Sequence, residues 1–238
     1  MLSGGCATAP ARQPVSDDAR HALDLLDARW NEFTALRTVA DIVLTRGRER
    51  HRLTGVLLVQ GPDSVRFEAL SPLGQPLLFV TVHEGRLTAY DVAKNEALTG
   101  PATATTIVRV LGLPLDADAL VAVLAGRPVP PRDLRAAELE PADGLGPSLI
   151  LVGADSRQRV WLDLETGDVR QLQINGGQFP ITITFRRDGE TLKGFDLLSE
   201  VAGVTGSVTY RNQVAGGGID PERFTLALPK GAKTKSIR

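Results

Sequence analysis

The residue with the most distinctive chemistry is the single cysteine, Cys6, which follows the run LSGG at residues 2–5. Small residues before a lone cysteine near an N-terminus are what a bacterial lipoprotein signal peptidase requires, because bulky side chains would keep its catalytic groups away from the backbone. The thiol of such a cysteine is alkylated with a diacylglyceryl group, which anchors a protein to a membrane without spanning it. We therefore predict that Cys6 is lipidated and that residues 1–5 are the remnant of a lipoprotein signal peptide.

The lipidation signal is incomplete, since neither a basic n-region nor an apolar h-region precedes Cys6. A chance cysteine in an unstructured leader is the alternative interpretation. Residues 6–16 are small, polar and proline-rich, and such a stretch cannot bury enough surface to become ordered, so we predict a flexible tether there and a single domain over residues 17–238. An Asp directly after the cysteine commonly retains lipoproteins in the inner membrane; Ala7 stands there instead, which favours the outer membrane.

Composition argues against several classes of function. The formal net charge is −1 and the charged residues are spread along the chain, so nothing indicates a nucleic-acid partner. One cysteine excludes an internal disulfide and a cysteine-based zinc site. The three histidines, His21, His51 and His83, lack the spacing of metal ligands. There is no nucleophile elbow, phosphate-binding loop or dinucleotide fingerprint. We predict no enzymatic activity, no metal, and no cofactor beyond the acyl group on Cys6.

The hydrophobic periodicity predicts a long series of strands interrupted by helices. A helix is expected near residues 17–31 with Ser16 as its cap, and two more at 102–111 and 117–125, the last opened by Asp116. A loop is expected through residue 141. The short connections between strands require antiparallel hairpins. The predicted strands cover residues 34–45, 51–60, 64–70, 77–83, 86–92, 147–153, 158–163, 168–174, 179–187, 190–197, 206–212 and 222–228.

A sheet of that many strands must curl. Several strands are apolar on both faces, so either the helices or an apolar ligand must fill the concave side. The predicted fold is mainly β with α: a curled antiparallel sheet forming an incomplete β-barrel, plugged by an N-terminal helix and an inserted helical pair. In the alternative interpretation there is no ligand-binding cavity, and the inward-facing residues are part of a hydrophobic core sealed beneath the helices. The candidate cavity residues are Leu57, Val59, Phe67, Ala69, Leu78 and Val80.

The segment from residue 66 to residue 128 resembles the LolA/LolB family of bacterial lipoprotein carriers. The likeness runs through RFEALSPLG at 66–74, the strand at 77–82, GRL at 85–87 with Tyr90, LGLPL at 111–115 and the segment 120–128, and RFTLALPKG at 223–231 is similar to the closing strand of the family. This resemblance implies an incomplete, eleven-stranded antiparallel barrel whose helices cover an apolar cavity for acyl chains. The chain differs from the outer-membrane member in extra residues at 131–146 and 213–220.

The resemblance also implies a function. Membrane-anchored members lie in the outer membrane, receive lipoproteins from a soluble periplasmic partner, and insert an apolar turn residue into the bilayer. The Pro-Leu-Gly turn places Leu73 in that role, unless it folds back onto the rim of the sheet. We expect a monomeric outer-membrane lipoprotein, facing the periplasm, that binds acyl chains and hands lipidated protein or lipid to the membrane. Two alternatives stay open: an assembly lipoprotein with a filled interior, and a carrier of another lipid such as a glycolipid or hopanoid.

Overall fold

The computed structural model describes residues 11–113, 115–131, 133–175 and 180–237. Cys6 lies outside the described residues, so its lipidation stays a prediction. The described helices are α1 (Asp17–Glu32), α2 (Ala104–Leu111) and α3 (Ala117–Leu124). The described strands are β1 (Ala35–Arg46), β2 (Glu49–Gln60), β3 (Ser64–Leu70), β4 (Pro76–His83), β5 (Arg86–Asp91), β6 (Glu96–Pro101), β7 (Ala136–Asp143), β8 (Gly146–Val152), β9 (Arg157–Leu162), β10 (Val169–Asn175), β11 (Ile181–Asp188), β12 (Thr191–Ser199), β13 (Val204–Ala215) and β14 (Lys233–Ser236).

All the described strands belong to one sheet, in the order β14-β6-β5-β4-β3-β2-β1-β13-β12-β11-β10-β9-β8-β7. Neighbouring strands are antiparallel except β14 and β6, which run parallel. Most neighbours follow one another along the chain, whereas β13 returns from the far half of the chain to pair with β1. The sheet is not closed, because β14 and β7 lie at its two edges. The predicted fold, an incomplete barrel with an N-terminal helix and an inserted helical pair, is confirmed.

The antiparallel register separates the turns into two ends of the sheet, which we call the upper rim and the lower rim. The registers of β1 with β2, β13 with β1, and β12 with β13 fix which turns share a rim. The upper rim contains the turns at 47–48, 71–75, 92–95, 153–156 and 200–203. The lower rim contains the turns at 61–63, 84–85, 144–145, 163–168 and 189–190.

Helix boundaries follow the capping signals of the sequence. Ser16 Oγ accepts a hydrogen bond from the backbone N–H of Ala19 at 3.3 Å, and Asp116 Oδ1 accepts one from Ala119 at 2.9 Å. Both side chains satisfy backbone donors that the first helical turn leaves unpaired. Gly112 ends α2 with a φ of 72°, a conformation that favours glycine. These three predicted helix boundaries are confirmed.

Two predictions about the strands are wrong. The loop expected through residue 141 instead contains most of β7, which pairs with β8 and forms one edge of the sheet. Pro141 is compatible with this strand, because an edge strand tolerates a residue that has no N–H to donate. The sheet also contains β6, which the alternating pattern did not indicate. The described sheet is therefore larger than the eleven strands that the resemblance implies.

The predicted strand at 222–228 is also wrong. Pro221–Phe224 instead form a 3-10 helix, and the Asp220 side chain accepts a hydrogen bond from the backbone of Glu222 at 3.0 Å. Phe224 is only 1% exposed, so its burial fixes this turn against the sheet. The guanidinium of Arg66 donates to the carbonyl of Arg223 at 2.8 Å, a contact that replaces pairing through the backbone. The last strand, β14, follows later and pairs with β6.

Candidate functional site

The predicted cavity residues lie together on the concave face of β2, β3 and β4. Leu57 lies opposite Phe67, and Phe67 lies opposite Val80, so these side chains form one row across three strands. All six belong to, or pack against, a single apolar cluster that also includes residues of the three helices. Leu78 is half-buried and the other five are buried. The sequence pattern therefore placed them on a common face, and their contact with a ligand stays a prediction.

The helices α2 and α3 form an antiparallel hairpin that covers this face and is bonded to the sheet at its lower end. Before α2, the backbone N–H of Ala102 donates to the carbonyl of Gly85 at 2.8 Å. At the end of α3, the hydroxyl of Tyr210 donates to the carbonyl of Leu124 at 2.9 Å. Burial raises the pKa of Tyr210, so this phenol remains a donor at all physiological pH values. Tyr210 lies at mid-sheet, opposite Ala40. Closer to the lower rim, Arg187 donates to the carbonyl of Gly126, just after α3, at 3.3 Å. Both ends of the helical hairpin are thus bonded to the sheet, and each has a bond near the lower rim.

The connection between α2 and α3 lies towards the upper rim and is held differently. Gly112 packs against Leu44 of β1, which lies two residues from the end of that strand. Of residues 112–116, those that the structure describes make no hydrogen bond or ion pair with the sheet. The helical cover is therefore fastened by hydrogen bonds at the lower rim and by apolar contact at the upper rim.

Three arginines surround the C-terminal ends of α1 and α3 at the lower rim. Asp168 forms ion pairs with Arg187 at 3.2 Å and with Arg29 at 3.8 Å. Arg127 lies over the ring of Phe33, 5.3 Å from its centroid, and burial lowers its pKa to about 10, so it stays charged at neutral pH. Cations are favourable here because helix C-termini carry partial negative charge. The cluster encloses a cavity of about 140 Å³ and joins the helix ends to the turn at 163–168.

Leu73 occupies the upper-rim turn between β3 and β4 and is 86% exposed. Ser71 closes the turn by donating its backbone N–H to the carbonyl of Gln75 at 2.7 Å, and Gly74 has a φ of 77°. The side chain of Leu73 therefore protrudes and does not fold back onto the rim. Its insertion into a bilayer stays a prediction.

One contact between potentially catalytic groups was not indicated by the sequence. Ser64 Oγ lies 2.8 Å from Nδ1 of His83, and its hydroxyl also lies 3.2 Å from a carboxylate oxygen of Asp63. Ser64 is only 5% exposed and the His83 ring stacks on Phe224, so the contact ties the turn at 61–63 to β4. His21 and His51 are exposed. Within the described ranges, no cluster of His, Cys, Asp and Glu could hold a metal ion.

Three solved structures of bacterial proteins superpose on this chain over most of its length. A Vibrio parahaemolyticus domain described as an outer-membrane lipoprotein-sorting protein superposes with a TM-score of 0.59 and 12% identity, covering 87% of this chain and 97% of that one. A LolA superfamily protein from Nitrosomonas europaea gives a TM-score of 0.55 and 9% identity, covering 86% and 97%. A DUF1329 family protein from Desulfovibrio piger gives 0.60 and 13%, covering 88% and 98%. No protein-family model and no curated protein sequence matches this chain.

The comparisons define the class of fold. The chain has the fold of the LolA superfamily and of outer-membrane lipoprotein-sorting domains, as its sequence resemblance implies. At such low identity the similarity concerns the fold alone. No described helix is long and apolar enough to cross a membrane.

Proposed function

We propose that this chain is a membrane-anchored carrier that binds acyl chains beneath the α2–α3 hairpin and hands lipidated protein or lipid to the outer membrane. The observation that carries the proposal is the asymmetric attachment of the cover, which is hydrogen-bonded at the lower rim and held by apolar contact at the upper rim. Opening at the upper rim would expose the row formed by Leu57, Phe67 and Val80 while the lower rim acts as a hinge. The cargo would arrive from a soluble periplasmic carrier, and the chain would act as a monomer.

The energetics of acyl transfer support a cover that fills the interior when no ligand is bound. A sixteen-carbon chain left in water costs about 12 kcal/mol, at about 0.8 kcal/mol per methylene. Such a chain must be shielded in the periplasm, yet a pocket that gained the whole of this free energy would not release it. Residues of α2 and α3 such as Ile107 and Leu120 already pack in the core. An entering acyl chain must displace that packing, which offsets part of the gain and keeps the affinity moderate.

The position of the N-terminal segment supports delivery at the upper rim. The backbone N–H of Gln13 donates to the carbonyl of Arg135 at 2.8 Å, and Arg12 pairs with Asp133 at 2.9 Å. Residue 135 directly precedes β7, which begins at the upper rim. The seven residues from Cys6 to Gln13 span at most about 25 Å. A lipid on Cys6 would therefore enter the membrane close to the rim at which the cover opens.

Uptake of an acyl chain is the direct test. We expect native mass spectrometry of the full chain carrying Cys6→Ser to show co-purified lipid, or one bound palmitate per chain after palmitate is added. Leu78→Lys should abolish uptake, because it places a charge on the concave face where solvent still reaches the side chain.

Leu77→Lys is the matched control, since Leu77 is the neighbouring residue on the outward face and is 45% exposed. Uptake should be unchanged in this variant. An apo mass with no uptake of added lipid would reject the carrier and favour the assembly lipoprotein with a filled interior.

Leu73 should contribute to membrane binding without contributing to stability. We expect Leu73→Ser to change the free energy of unfolding by less than about 0.5 kcal/mol, because the side chain has few contacts to lose. Burying a leucine in a bilayer is worth about 2 kcal/mol, so affinity for phosphatidylcholine vesicles should fall roughly 30-fold in a flotation assay. Val214→Ser, an exposed apolar position near the lower rim, is the control. An equal loss in both variants would contradict a specific role for Leu73.

A further inference from the structure

The hairpin of β1 and β2 ends in a dense group of arginines at the upper rim. Arg46, Arg48, Arg50 and Arg52 are all exposed, and Glu49 is the one acidic residue among residues 46–52. The carboxylate of Glu49 lies beside His51 at 3.8 Å. None of the four arginine side chains forms an ion pair or hydrogen bond with the residues that the structure describes, in contrast to Arg186 or Arg211 elsewhere on the sheet. We call these four residues the arginine hairpin.

The arginine hairpin extends beyond the neighbouring strand. The pairing of β3 with β2 runs only from residue 54 to residue 60, so residues 49–53 have no described strand beside them on that side. Alternation along β2 places Arg50 and Arg52 on the convex face. Arg46 lies opposite Glu49 and therefore on the concave face, and Arg48 lies in the turn. The guanidinium groups therefore surround the tip and are free to meet a surface brought against the rim.

Exposed apolar side chains lie on both sides of the arginine hairpin. Val201 is 70% exposed in the turn at 200–203, and that turn is bonded to the tip because the backbone N–H of Gly47 donates to the carbonyl of Gly203 at 3.2 Å. Leu73 lies in the turn that begins where β3 ends its pairing with β2. Cations beside protruding apolar side chains match a bilayer with anionic headgroups, which binds the charges and accepts the apolar groups. An acidic protein would require only the charges.

We propose that the arginine hairpin, together with Val201, is a docking surface for the anionic phospholipid headgroups of a membrane. The chain as a whole has a net charge of −1, so the attraction is local and orients the upper rim towards the lipid. The segment leading from Cys6 approaches the same rim at Arg135. The proposal rests on the proposed function in one respect, because the acyl-binding face is taken to open at the rim that docks.

Vesicle binding tests the docking surface. The full chain carrying Cys6→Ser is floated with vesicles of phosphatidylcholine alone or of equal parts phosphatidylcholine and phosphatidylglycerol. We expect a preference for phosphatidylglycerol that weakens as salt is raised. Arg50→Ser with Arg52→Ser should lower affinity for the anionic vesicles roughly 30-fold, from about 1 kcal/mol per arginine, and leave binding to phosphatidylcholine unchanged.

The matched control removes two exposed cations from the lower rim, Arg86→Ser with Lys193→Ser, and should leave affinity within about twofold. Equal binding to both kinds of vesicle would overturn the proposal, as would a preference that survives loss of Arg50 and Arg52. If Arg50 and Arg52 prove necessary for binding an acidic soluble protein but not for binding vesicles, the surface is a protein-docking surface instead. Palmitate uptake by the double variant is measured separately, so failure of the docking surface and failure of the acyl-binding site give different results.

Discussion

Replacement of Gly194 by alanine is expected to lower the free energy of unfolding by about 4 kcal/mol or more. Gly194 lies in β12 with a φ of 137°, and a Cβ at this position would lie 1.9 Å from the carbonyl oxygen of Val208 on β13. The two strands are paired here, Gly194 opposite Thr209, so neither backbone can move without loss of ladder hydrogen bonds. The expected loss exceeds the roughly 1–3 kcal/mol that is typical of an overpacked core, because the backbone of a paired strand cannot repack as side chains do.

Gly189→Ala is the matched control for this experiment. Gly189 lies in the lower-rim turn between β11 and β12 with a φ of 57°, yet a Cβ there would meet nothing within 4 Å. The substitution should cost only about 1 kcal/mol, the strain of a left-handed residue. Urea unfolding followed by circular dichroism measures both variants. Similar losses would show that the close approach of the strands at Gly194 is not what makes glycine necessary.

These glycines matter because they allow the sheet to curl. Gly194 follows an irregularity in the register of β11 with β12, and such a bulge increases the local bend. Gly55 of β2 has a similar position in the other half of the sheet, since a Cβ there would lie 2.1 Å from the carbonyl oxygen of Glu68. Close approaches of this kind therefore lie on both sides of the β1–β13 pair, in the two halves that bend around the helices. The alternating sequence pattern predicts strands, and it contains no information on how closely two backbones approach.

Local signals account for the parts of the fold that the sequence predicted. Helix caps such as Ser16 and the hairpin turn at Gly189 depend on residues within a few positions of one another. By contrast, β14 is short, exposed and polar, and it is a strand because β6 offers it unpaired backbone groups. The segment with Pro141 is a strand for the same reason, since it pairs with β8. Pairing with a neighbour decides such segments, and a sequence pattern does not reveal the neighbour.

The candidate site was predictable to a similar degree. Alternation placed Leu57 and Phe67 on one face, and the Pro-Leu-Gly turn indicated that Leu73 could protrude. The cluster of Arg29, Arg187 and Asp168 was not predictable, because these residues are distant in sequence and meet only after the sheet has curled around the helices. The residues of the arginine hairpin, by contrast, are close together in sequence. The description of charged residues as spread along the chain is wrong for residues 46–52, which contain four arginines.

Locking the α2–α3 connection to the sheet is expected to abolish acyl-chain uptake. In a chain carrying Cys6→Ser, the pair Leu44→Cys and Gly112→Cys can form a disulfide across the upper rim. A Cβ on Gly112 would lie 3.9 Å from Cγ of Leu44 and 2.8 Å from its Cδ2, so the two positions are in direct side-chain contact. The sulfur of a cysteine at position 44 would lie close to the present Cγ, and a small shift then allows the two sulfurs to bond. If the cover opens at this rim, the oxidised protein binds no palmitate in native mass spectrometry, and reduction restores binding.

The oxidised and reduced forms are compared in one sample, which separates an effect on opening of the cover from an effect on stability. A cysteine at position 112 adopts a φ near 72° and costs about 1 kcal/mol, but this strain is present before and after reduction. Loss of uptake that reverses on reduction therefore reports motion of the cover rather than damage to the fold. Leu44→Cys alone should bind palmitate in both redox states. Equal uptake by the oxidised and reduced double variant would show that acyl chains reach the concave face without opening the upper rim, because the lock leaves every other route unchanged.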